Sequence, residues 1–145
     1  MPSASKSIVS FYYVEPVGLR NRQALKQFIE TLFRKEKKSL AGISYIFCSD
    51  KYLLDINRKF LNHDFYTDII TFPLSNKGQP VEAEIYISID RVKENAEALG
   101  ESFTRELHRV IFHGALHLCG YGDKTATEKA KMRVKEDQYL TSYLS

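Results

Sequence analysis

Cysteine is scarce in this chain of 145 residues, with only Cys48 and Cys119 present. Two thiols fall short of a disulfide framework, and no charged-then-apolar leader opens the sequence, so a reducing cytoplasm is the expected compartment. Long apolar runs are missing as well; none approaches the length that spans a bilayer. Linkers, internal repeats and low-complexity tracts are also lacking. Neither sign of charge dominates: 21 Lys and Arg against 18 Asp and Glu leave +3 and a pI near 8.8. That balance permits a nucleic-acid partner without requiring one. Hydrophobic residues at 43% and charged residues at 27% exclude a disordered chain. A chain of this length reads as a single domain, 1–145, that buries a core without staples.

What is present alternates between strand and helix patterns. The polar run 1–7 reads as a frayed terminus. Ile8–Val14, rich in β-branched and aromatic residues, reads as a strand. Leu25, Phe28, Ile29, Leu32 and Phe33 recur at helical spacing, and the cluster Arg34–Lys38 is the solvated end of that helix, with phosphate binding as the alternative. Gly42–Cys48 is a strand covered on both faces. Ser49-Asp50 opens a short helix carrying Leu53, Ile56 and Phe60. A polar-aromatic loop, 61–68, then leads into the strand Ile69–Pro73. The turn residues Asn76–Pro80 join it to a neighbouring strand, Val81–Ser88.

Ser88 or Asp90 caps a helix that stops at Gly100, and a longer helix runs from about Ser102 to Leu118 with Leu107, Ile111 and Leu118 as its apolar stripe. His108 on that helix reads as a surface residue. Thr125 and Glu128 form a capping box that opens a last helix bearing Met132, Tyr139 and Tyr143. The order predicts an α+β (α/β-like) sandwich, a four-stranded mixed sheet with about five helices and the histidine-bearing helix central.

Chemistry concentrates in 113–123. His113 and His117, four apart, present both imidazoles on one helix face. Gly120 supplies the left-handed turn that ends the helix, and Asp123, three residues on, can swing back toward the rings. This is the ligand spacing of the long zincin motif, so a zincin-like site for one zinc ion, or another divalent metal, is expected on His113, His117 and Asp123. The peptidase glutamate that follows the first histidine of H-E-x-x-H is replaced by Gly114, which argues against peptide hydrolysis. Candidates for the missing base are His63, Asp64 and Asp68 in the loop, or Glu84 on the last strand. Cys119 reads as a small buried residue rather than a thiolate ligand.

The run from His113 to Asp123, together with Thr67-Asp68-Ile69-Ile70-Thr71-Phe72-Pro73, resembles the YbeY family over nearly the whole chain. The resemblance implies a metal-dependent, single-strand-specific endoribonuclease of the bacterial cytoplasm that acts in small-subunit ribosomal RNA maturation and ribosome quality control. It implies single-stranded RNA, and with it the small ribosomal subunit, as partners of a monomeric protein. The family's metal ligands fall on His113, His117 and the position of Asp123, where the common pattern has a third histidine. A carboxylate there keeps the site but makes the ion a weaker Lewis acid. Family members also commonly carry an arginine where this chain has Leu61, so that cation is expected from Arg58, Lys59 or His63. A zincin-type metalloprotease and a non-catalytic ribosome-assembly factor with a structural metal are the competing readings.

Overall fold

Hydroxyl side chains start four of the five helices in a computed structural model of the protein, which describes residues 8–145. The reading of the 1–7 terminus lies outside those residues. Ser49 caps α2 (Asp50–Leu61), Ser88 caps α3 (Ile89–Leu99), Ser102 caps α4 (Phe103–Leu118) and Thr125 caps α5 (Ala126–Leu144). Each side-chain oxygen accepts a backbone N–H that would otherwise lack a partner in the first turn. At α5 the cap is reciprocal, because Glu128 reaches back to the backbone N–H of Thr125. Between Ser88 and Asp90, the serine is the cap.

The remaining elements are β1 (Val9–Tyr13), α1 (Arg22–Lys35), β2 (Leu40–Cys48), β3 (Ile69–Pro73) and β4 (Val81–Ser88). The sheet order is β1-β2-β4-β3, with β1, β2 and β4 parallel and β3 antiparallel on the edge. The expected mixed sheet and its β3–β4 pairing are therefore present.

Period-2 alternation sorts the sheet residues between two unequal layers. Ile43, Tyr45, Phe47, Ile85 and Ile87 face a large core with Leu25, Ile29 and Phe33 of α1 and Leu107, Ile111, Phe112 and Leu116 of α4. Cys48 and Ile70 turn the other way onto Leu53 of α2. The α5 helix packs on α4 through Met132, Tyr139 and Leu140. Thus α4 lies between the sheet and α5, and its last two turns pass along β3 and β4.

Two expectations are corrected by this packing. His108 is not a surface residue: it is 6% exposed, its Nδ1 lies 2.7 Å from the carbonyl of Thr104, and its ring packs on Phe112 and Tyr143. Burial holds its pKa below the ordinary histidine value, so the ring favours the neutral form. Glu84 cannot serve a site on α4. It accepts a hydrogen bond from the Tyr86 hydroxyl and lines a groove with Ile56, Phe60 and Phe72, on the α2 side of the sheet.

Candidate metal centre

Close approach of α4 to the sheet fixes the frame. A Cβ on Gly114 would sit 2.8 Å from Cδ1 of Ile85 and 3.0 Å from Cδ1 of Ile69, so a larger residue requires those two side chains to repack. The first carbon of a glutamate side chain here would meet Ile85 and Ile69. The same contact turns His113, one residue earlier, toward the α5 side. Gly120 ends the segment at φ 108, a conformation that glycine adopts without strain.

His113 is clamped from behind. Its Nδ1 lies 2.7 Å from Oε2 of Glu136, a carboxylate only 5% exposed on α5. A carboxylate accepts, so Nδ1 carries a hydrogen, and in the neutral ring Nε2 is the lone-pair atom. That Nε2 points at Oδ2 of Asp123, 3.3 Å away. Burial opposes charge on the ring, but the bond and charge of Glu136, joined by Asp123 and Asp68, hold its pKa above the ordinary value.

Glu136 is held in turn by Arg109, whose Nη1 donates to Glu136 at 3.2 Å and to Asp137 at 2.9 Å. Arg109 is 5% exposed and also lies within 4 Å of Glu101 and Glu106.

His117 is oriented by backbone instead. Its Nδ1 lies 3.2 Å from the carbonyl oxygen of Tyr121, so its Nε2 is also left free. Tyr121 is tied down by Glu36 at the end of α1, which accepts from the Tyr121 hydroxyl at 2.8 Å, from Lys135 at 3.2 Å and from the Tyr139 hydroxyl. Burial pushes the Glu36 carboxyl up, but these three donors outweigh it and keep its pKa below the ordinary value.

Of the three expected ligands, the structure therefore pairs His113 with Asp123 and leaves His117 exposed on the next turn of the helix. Among the described residues no three His, Cys, Asp or Glu side chains stand together as a finished metal cluster. The donor chemistry nonetheless fits a divalent metal: two imidazoles each have Nδ1 occupied by an acceptor and Nε2 available, with one carboxylate beside them. Cys119 is excluded from that set, being buried with its thiol pKa pushed up to about 12 by burial.

The loop candidates part company. Asp68 stands near His113, accepts from Asn95 at 3.3 Å, and has its pKa raised by burial against the opposing influence of the His113 charge. His63 instead stacks on Phe65 with ring centroids 5.0 Å apart, and Asp64 is ion-paired to Arg58 at the surface. Of the cations proposed to replace the arginine at Leu61, Arg58 is thus already engaged. The loop itself is pinned by Asn57, whose Nδ2 donates to the carbonyl of Phe65 at 2.9 Å.

Sequence reasoning missed Glu136, Arg109 and Glu36. Glu136 carried a usable signal, because it falls at helical spacing between Met132 and Tyr139, a carboxylate on an apolar stripe.

Comparison with known proteins finds close relatives over most of the chain. The endoribonuclease YbeY of Cytophaga hutchinsonii is 53% identical over 123 residues, 85% of this chain and 86% of the relative. That of Flavobacterium psychrophilum is 44% identical over 133 residues, 92% and 94% of the two chains. A solution structure from Thermotoga maritima matches with a TM-score of 0.62 and 28% identity, covering 93% of this chain and 88% of that one. The family profile described as endoribonuclease YbeY matches residues 16–144. With its histidine helix, mixed sheet and nearly full-length similarity all in agreement, the chain belongs to the endoribonuclease YbeY family.

Proposed function

We propose that this protein hydrolyses single-stranded RNA with one divalent metal, zinc in the first instance, held by His113, His117 and Asp123. The observation that carries the reading is the buried Glu136 carboxylate on Nδ1 of His113, which presents Nε2 to Asp123. Buried carboxylates that orient histidines in this way are the usual outer support of metal ligands.

When bound, the ion supplies Lewis acidity: it makes a water a better nucleophile at neutral pH and offsets negative charge on the phosphoryl oxygens. The chain's own residues do the rest. Glu136 and the Tyr121 carbonyl keep the hydrogens of both rings on Nδ1 and fix the ring planes. Asp68, part-buried near His113, would take a proton from the attacking water and return it to the leaving oxygen; its burial and its pKa raised above the ordinary value support that role. His63 and Asp64 lie in the exposed loop and would act on the RNA strand rather than on the ion.

The cellular role that follows is maturation of small-subunit ribosomal RNA and ribosome quality control, by a cytoplasmic monomer that meets the small ribosomal subunit. Among the described residues no helix is long and apolar enough to cross a membrane. Peptide hydrolysis is disfavoured because Gly114 stands where the peptidase glutamate would be, packed closely on Ile85 and Ile69.

The test incubates the zinc-loaded protein with single-stranded RNA and with an unfolded protein, each with and without chelator. Chelator-sensitive RNA cleavage that is lost in His113→Ala is the expected result. Cleavage of the protein substrate instead would favour the protease reading. RNA left intact by both wild type and variant would favour an assembly factor.

A further inference from the structure

A cleft of about 600 Å3 opens beside His117, between the α1–β2 turn, the β3–β4 turn and the end of α4. Its walls carry Lys37, Lys38 and Lys77 against a single carboxylate, Glu82, and it reaches His117 and Gly120. Among the described residues none of the three ammonium groups has a hydrogen bond, an ion pair or a ring contact. Two lysines elsewhere are engaged, Lys135 with Glu36 and Lys26 over the ring of Phe11; what sets Lys37, Lys38 and Lys77 apart is that one cleft gathers all three.

The backbone adds an independent observation. Lys37 sits at φ 60, and among the described residues the only other non-glycine positions with positive φ are Asn21 and Asn62. Asparagine tolerates that conformation, whereas lysine gains nothing from it locally. The backbone closes α1 there, with Lys37 N–H donating to Arg34 and Lys38 N–H to Phe33, so glycine would serve the turn better. A lysine in a glycine position, lining a cleft with two further lysines, suits a use for the charge.

The cavity on the opposite side of the histidine pair differs. It carries Lys129 and Arg133, but Asp123 and Glu136 line it too, so its charge cancels. Of these two cavities flanking the histidines, the cleft beside His117 has the positive excess.

We propose that Lys37, Lys38 and Lys77 form a phosphate subsite that holds the RNA backbone on the β3–β4 side of the histidines and sets which flank of the strand is gripped. This rests on the endoribonuclease reading. Backbone charge neutralised by lysines releases counterions, so the affinity must fall with salt.

The experiment measures binding of a fluorescent single-stranded RNA oligonucleotide at several salt concentrations, in chelator so that no cleavage occurs, for wild type and the triple variant Lys37→Ala, Lys38→Ala, Lys77→Ala. The slope of log affinity against log salt should flatten by about 2, at roughly 0.7 per lost contact. In the metal-loaded cleavage assay KM should rise about tenfold with kcat little changed, as expected when uniform binding is removed. Lys51→Ala, exposed on α2 across the sheet, should match wild type in both.

A second variant separates charge from fold: Lys37→Gly should raise the thermal midpoint while weakening RNA binding. An unaltered slope in the triple variant, or wild-type affinity in Lys37→Gly, overturns the subsite. A wild type that never cleaves RNA overturns the endoribonuclease reading instead, and the slope measured in chelator still decides the subsite.

Discussion

The two sides of the candidate centre are built to different standards. On the α4–α5 side, His113, Glu136 and Arg109 form a chain of hydrogen bonds whose last two members are about 5% exposed. On the loop side, 61–68, the ion pair of Arg58 and Asp64 has side chains 54% and 75% exposed, and Phe65 and Tyr66 stand in solvent. A buried network has one low-energy arrangement, because each unpaired member is costly; an exposed pair competes with water at every moment. His113 is thus held in one orientation, while the exposed side chains of the loop keep more freedom.

The sharpest way to break this contrast is Arg109→Met. It strands Glu106 and Glu136 in the interior without their counter-charge, so unfolding by urea should show a loss of about 3–5 kcal/mol. Next comes Glu136→Gln, which keeps the shape but removes the charge behind His113. Competition with a chromophoric chelator should find zinc affinity lower by about 10–100-fold.

A smaller effect is expected from Glu36. Its folded-state pKa is depressed, so it contributes stability above the unfolded value that is lost as pH falls through the folded value. Thermal midpoints of wild type should therefore drop below about pH 4.3 more steeply than those of Glu36→Gln. The least effect belongs to Arg58→Ala, whose urea midpoint should stay close to that of wild type because its ion pair with Asp64 is exposed to solvent. A cost at Arg58 equal to that at Arg109 would erase the distinction between the two sides.

This division also explains what could be read from the sequence. The helices were legible because their signals are local: Ser49, Ser102 and the Thr125–Glu128 box cap within three residues, and His113 and His117 share a face by spacing alone. The support behind the histidines was not, since Glu136 lies 23 residues from His113 and Glu36 lies 85 from Tyr121. Such contacts depend on how α5 and α1 meet α4. His108 misled because a polar ring can be buried once its Nδ1 finds the Thr104 carbonyl, a bond within its own helix. The cluster Arg34–Lys38 reads from sequence as a solvated helix end for the same reason: only the folded chain brings Lys77 beside Lys37 and Lys38.

The central claim is that His113, His117 and Asp123 hold one metal ion. Its most direct test is zinc content by elemental analysis after zinc loading and dialysis, for wild type and for the three single alanine variants. One zinc per chain in wild type, with a clear loss in each variant, is the predicted result. No zinc retained by wild type, or full retention by all three variants, would contradict it.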